Sequence, residues 1–154
     1  MSSQKILVPY NFTAYDQKAL EFVIRTFSHL KDVQVTLFNS YTSVPVIDAR
    51  TSPQMQNLQN NINFLTKKII DQENALKSVK EKLLQNGFSE SQVQYIFQPG
   101  KRDIAAEIVA LTVNEKFDLI VLNHKPGKLS HFFTGNLFTK VINALKDTTV
   151  CVVS

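Results

Sequence analysis

The sequence predicts an α/β protein built on a single doubly wound, five-stranded parallel sheet, in the order 3-2-1-4-5, with helices on both faces. Two observations predict it. Short apolar, β-rich runs alternate with longer segments of helical period along the whole chain. The chain is also of a size and composition that can bury such a sheet without staples, with 154 residues, 44% hydrophobic, 19% charged and one cysteine. Residues 1–154 are expected to form one domain.

Residues 5–9 (K-I-L-V-P) are a bare apolar run closed by proline, as a strand covered on both faces requires. Residues 10–13 turn, and Asn11 or Thr13 can cap the next helix by accepting from a free amide. That helix spans 14–30, with Ala19, Leu20, Val23, Ile24, Phe27 and Leu30 on one stripe. Residues 33–38 form a second strand and 39–52 a loop. Ser52-Pro53 then reads as a cap followed by proline in the first turn.

From there to Asn86 the helical pattern is long. Leu58, Ile62, Leu65, Ile69, Leu76, Val79 and Leu83 fall at alternating four- and three-residue steps, interrupted where Gln72 takes an apolar place. Such a helix would run roughly 50 Å at 1.5 Å per residue, more than twice a typical strand, so it must bend, break or project. Its C-terminal half is expected on the sheet, and Gly87 suits the position that ends it. Residues 93–97 are a third strand, followed by a Pro99-Gly100 turn. Asp103 can cap a helix to about Lys116, with Ile104, Ile108, Leu111 and Val113 as its apolar contributors. Residues 118–122 are a fourth strand. Residues 136–145 are a last helix with Leu137, Val141, Ile142 and Leu145 inward, and 148–153 a fifth strand.

The segment 118–135 organises the rest. A strand leads into a basic loop and then a helix start, and no acidic residue occurs over 119–146. His124, Lys125 and Lys128 lie in this loop, where amides at the head of a helix favour an anion. In the predicted topology the winding direction reverses between strands one and four, so ligands belong beside the 10–13 turn and this same loop. A net charge of +4 suits a small anion and argues against a nucleic-acid partner. The N-terminal apolar run is too short for a signal peptide, and no stretch has transmembrane length. A cytoplasmic protein with no membrane contact is expected.

The segments K-I-L-V-P-Y-N-F-T (5–13), F-D-L-I-V-L-N-H (117–124), T-G-N-L-F-T-K-V (134–141) and T-V-C-V-V (149–153) resemble the universal stress protein family. The resemblance implies the adenine-nucleotide alpha-hydrolase-like version of this fold, a homodimer through 148–153, and a stress-response domain. It also implies that ATP or AMP, with Mg²⁺, lies in the crevice between strands one and four. ATP-binding members carry a glycine, two residues, a second glycine, nine residues, then Gly-Ser or Gly-Thr. Gly135 matches the last glycine, but Asn136 stands at the hydroxyl position. Counting back, the earlier glycines fall on Leu122 and Lys125; with a one-residue gap, Asn123 takes the first place and Gly127 lies nearby. The family's strand-one aspartate matches Asn11. Asparagine is the mildest replacement, since it tolerates left-handed backbone and its amide can donate to an anion.

The implied site therefore comprises Pro9, Tyr10, Asn11, Ser40, Asn123, His124, Lys125, Gly127, Gly135, Asn136 and Leu137. Gly135, Asn136 and Lys125 would face phosphates, Asn11 a ribose or metal, and Ser40 the base. Tyr10 either stacks on a base or plugs the gap. A ligand-free dimeric interaction module, using 148–153 and the 53–86 helix, remains the second reading.

His124 and His131 lack local carboxylates, so no metal site is expected. Pro99-Gly100-Lys101 lacks the upstream glycine of a phosphate loop, because Tyr95 is there. No nucleophile, base and orienting group can be assembled from the sequence. No catalytic residue is expected, with slow ATP hydrolysis the most the chain would do.

Overall fold

The computed structural model describes residues 3–44, 53–124 and 137–154, apart from the side chains of Pro53, Met55 and Phe138. In chain order the elements are β1 (Gln4–Pro9), α1 (Ala14–Phe27), β2 (Val33–Tyr41), α2 (Pro53–Gln85), β3 (Val93–Pro99), α3 (Ile104–Glu115), β4 (Leu119–Asn123), α4 (Leu137–Ala144) and β5 (Thr149–Val153). They form one sheet in the order β3-β2-β1-β4-β5, with every pairing parallel, as the sequence predicts.

Successive residues of β1 explain its unbroken apolar run. Side chains alternate across a strand, so Ile6 and Val8 enter the core under α1 and α2, while Leu7 enters the core under α3 and α4. The first core adds Ala19, Leu20, Val23, Leu76 and Leu83; the second adds Ala105, Ile108 and Val141. A strand covered on both sides has no polar face to present.

Local chemistry sets the helix ends. Thr13 caps α1 in a reciprocal box with Asp16, and Asp103 caps α3 by accepting from the Ala105 amide at 2.7 Å. Gly87, just past α2, has φ +114°, which a side chain would strain.

Several expectations shift. β2 continues through Asn39, Ser40 and Tyr41, which the sequence reading places in a loop; pairing with β3 up to Tyr41↔Pro99 holds them extended. α1 stops at Phe27, leaving Leu30 exposed. α3 buries Ala105, Ile108 and Thr112, while Ile104 and Val113 are exposed. Thr112 can be buried because its hydroxyl donates to the Ile108 carbonyl at 2.7 Å. In α4, Val141 is buried but Ile142 is exposed.

α2 is one continuous helix of 33 residues. Its C-terminal half packs on the sheet through Leu76 and Leu83, whereas Leu58, Phe64 and Leu65 in the other half, and Ile70 just past the middle, are exposed. Ser52, Lys125, Lys128, His131 and the Phe132-Phe133 pair lie outside the described residues.

Candidate functional site

The site begins with a gap in the sheet. β1 pairs with β2 along its full length, from Gln4↔Val33 to Pro9↔Phe38, and β4 pairs with β5 from Leu119↔Thr149 to Asn123↔Val153. Between β1 and β4 the register holds two pairs, Ile6↔Leu119 and Leu7↔Ile120. Beyond Leu7 and Ile120 each strand follows its outer neighbour, and the two part. A hollow of about 330 Å³ opens there, at the strand C-termini.

Six of the residues singled out from the sequence line this hollow: Pro9, Tyr10, Asn11, Ser40, Asn123 and Leu137. His124 does not. It follows β4, where its amide donates to the Val153 carbonyl at 2.8 Å and so extends the pairing with β5. Lys125, Gly127, Gly135 and Asn136 lie outside the described residues.

Tyr10 belongs to the wall. Its side chain is 5% exposed, joins the core under α1 and α2, and meets Phe12 edge to face at a ring separation of 5.2 Å. Phe12 holds φ +61°, a left-handed conformation unusual for a bulky residue, directly beside the crevice. Burial, and secondarily the nearby Asp16 carboxylate, push the Tyr10 hydroxyl above its ordinary pKa.

The backbone of Tyr10 is fixed from below. Its amide donates to the Phe38 carbonyl at 2.8 Å, and its own carbonyl accepts from Asn39 Nδ2 at 2.9 Å. Asn39 Oδ1 accepts in turn from Gln72 Nε2 of α2. The apparent flaw in the apolar stripe of α2 is therefore the donor that satisfies a buried amide.

Sequence reasoning missed Asp16, Phe38, Asn39 and Ile104 as lining residues; Thr13 entered only through the flanking 10–13 turn and Leu122 only as a place matched to a glycine. Asp16 matters most. It is 3% exposed and is the one charged residue among the described lining. Its Oδ2 accepts from the Thr13 amide at 3.0 Å and the Thr13 hydroxyl at 2.6 Å, while Asn123 Nδ2 donates to Oδ1. Thr13-x-x-Asp16 is capping-box spacing, so its sequence signal pointed to helix structure alone.

The Gly100 turn is closed to ligands by its own chain. Glu107 Oε1 accepts from the Lys101 amide at 2.6 Å and the Arg102 amide at 3.3 Å, so these groups are not open to phosphate. No group of three or more His, Cys, Asp or Glu that could hold a metal occurs among the described residues. Likewise, among these residues no helix is long and apolar enough to cross a membrane.

The sequence profile of the universal stress protein family matches residues 2–152. The chain belongs to that family. Its fold is shared with solved structures across nearly the full length. The hypothetical protein MJ0577 superposes with a TM-score of 0.69 at 24% identity, covering 99% of this chain and 96% of that one. A universal stress protein from Archaeoglobus fulgidus, solved in complex with dAMP, gives 0.63 at 15% identity and full coverage of both chains. One from Arabidopsis thaliana with AMP bound gives 0.61 at 14% identity, covering 97% and 90%. No curated protein shows a significant match to the sequence. In this universal stress protein the crevice between β1 and β4 lies at the strand C-termini, where the winding direction of the sheet reverses.

Proposed function

We propose that the protein is a cytoplasmic stress-response domain that binds an adenine nucleotide, AMP or ATP, between β1 and β4. The observation that carries this reading is the hollow itself, opened where the strands part and lined by Asn11, Ser40 and Asn123 among others. Its volume is at the low end of the roughly 300–1,000 Å³ common for small-molecule sites. The Asn11 amide and the Ser40 hydroxyl beside apolar walls suit a nucleoside. The absence of a carboxylate cluster among the described residues means that Mg²⁺ would arrive with phosphates rather than in a protein cage. The protein's role is binding, with slow hydrolysis at most.

Thermal unfolding with millimolar adenosine compounds, with and without Mg²⁺, tests this. Occupancy at a hundredfold over Kd adds about 2.7 kcal/mol, or roughly 5–10 °C in a chain of this size. No shift with any adenine compound would defeat the reading. It would favour the second one, a ligand-free dimeric interaction module, which draws support from the exposed Leu58, Phe64, Leu65 and Ile70 of α2. Both readings include a homodimer through β5.

A further inference from the structure

We propose that the outer half of α2 pairs antiparallel with the same segment of a second copy of this chain, in a two-helix seam separate from β5. The pairing does not depend on whether the crevice between β1 and β4 is occupied.

The apolar stripe of α2 keeps one spacing along its length but meets two environments. Leu58, Ile62, Leu65 and Ile69 continue the four- and three-residue steps of Leu76, Val79 and Leu83. Leu76 and Leu83 are fully buried on the sheet, whereas Leu58 and Leu65 are each 42% exposed. Gln59, Asn61, Thr66 and Lys68 flank the outer stripe, so it is two positions in seven wide. A helix lying on a sheet or a membrane needs a broader apolar face; this width is that of a seam between two helices. Phe64 stands outside the seam, where Lys68 lays its ammonium 5.0 Å from the ring centre.

Charge narrows the occupant to a second copy. Residues 53–66 contain no charged side chain, and seven of them are asparagine or glutamine. A partner selected by charge has nothing to read there. Amide side chains both donate and accept, so a flank made of them is complementary to itself.

The sheet fixes the direction. It begins beneath Gln72, whose amide donates to Asn39. A parallel partner would have to continue through the space that this sheet fills, whereas an antiparallel one leads away from it. With Ile62 of each copy beside Leu65 of the other, Leu58 falls beside Ile69, and each N-terminal end stops near the level of Gln72. Lys68 then lies beside Asn61 of the other copy, and no like charges meet across the seam. The free length of α2 is the length that a second copy fills. Four apolar side chains per copy over about 17 Å make a contact smaller than the roughly 1,200 Å² at which stable interfaces begin. The expected Kd is on the order of 100 μM, so this contact adds to association through β5 only at high concentration.

The test is sedimentation equilibrium of Val152→Pro, which removes the proposed β5 contact, from about 10 μM to about 1 mM. Its mass should rise from one chain to two and stop there, because one isologous contact closes on itself. Leu65→Lys in the same background should hold the mass at one chain with an unchanged urea midpoint. A second arm leaves Val152 in place. Ile62→Cys and Leu65→Cys chains, each also carrying Cys151→Ser, are oxidised separately and as a mixture. Antiparallel pairing should give a disulfide-linked dimer in the mixture, joining position 62 to position 65. A mass fixed at one chain, association that Leu65→Lys leaves intact, or a dominant 62–62 linkage would each overturn the proposal. So would a lower urea midpoint in Leu65→Lys with no change in mass, which would mean that a segment of the same chain covers this face.

Discussion

Tyr10 stands where core and crevice meet, and its environment predicts a measurable pH response. Its hydroxyl is held above the ordinary value of 10.0 by burial and by Asp16. In the unfolded chain the phenol ionises near 10, while the folded chain keeps its proton to higher pH. The folded form therefore loses stability as pH rises from about 10 toward the native value, and gains nothing from this group below 10. Urea midpoints measured from pH 8 to 11.5 should fall more steeply in the wild type than in Tyr10→Phe. Cys151, also raised by burial from 9.0, contributes equally to both proteins. Equal slopes would show that the phenol is not differentially protonated. At this scale the sequence was partly legible. An aromatic after Pro9 was visibly a crevice residue, but stacking platform and buried wall demand the same side chain. Asp16 was hidden for a different reason: an acid in the first turn of a helix already has an explanation. Glu107 was likewise unread. One of its oxygens secures the Gly100 turn, while the other is buried with no partner among the described residues.

α2 shows what periodicity can and cannot say. The alternating four- and three-residue steps placed Leu65 and Leu76 on a common stripe, and one continuous helix carries both. Nothing in that pattern reveals whether another surface lies opposite. Leu76 is fully buried while Leu65 is 42% exposed, because the sheet ends before the helix does. Leu76→Ala should therefore cost about 2–5 kcal/mol in chemical denaturation, and Leu65→Ala less than about 0.5 kcal/mol. A similar cost at both positions would mean that the outer half of α2 is covered in solution. Gln72 belongs to the same lesson. It broke the stripe because its partner, Asn39, comes from another strand, and hydrogen bonds between distant segments leave no periodic trace. The boundary of β2 was missed similarly, since Asn39–Tyr41 are kept extended by β3 rather than by their own propensity.

For the whole molecule, the strand order was the most legible feature. Alternating strands and helices with right-handed crossovers leave few ways to wind a parallel sheet. β5 is an edge strand, and the proposed homodimer forms through its outer backbone groups. Thr149 and Val153 use their backbone toward β4, so the amides of Val150 and Val152 point outward by strand alternation. Light scattering should give twice the chain mass for the wild type. Val152→Pro should reduce it to one chain with the circular dichroism preserved, because proline removes an outward amide and no β4 bond. A wild-type monomer, or a dimer indifferent to this change, would exclude the β5 interface. The short β1–β4 seam has a mechanical consequence as well. It divides the sheet into a three-stranded leaf and a two-stranded leaf, joined at one end and braced at the other by Asn123 reaching Asp16. Any molecule lodged between the leaves touches both, so occupancy should be felt as stiffness along β4 and β5, far from the atoms that make the contact.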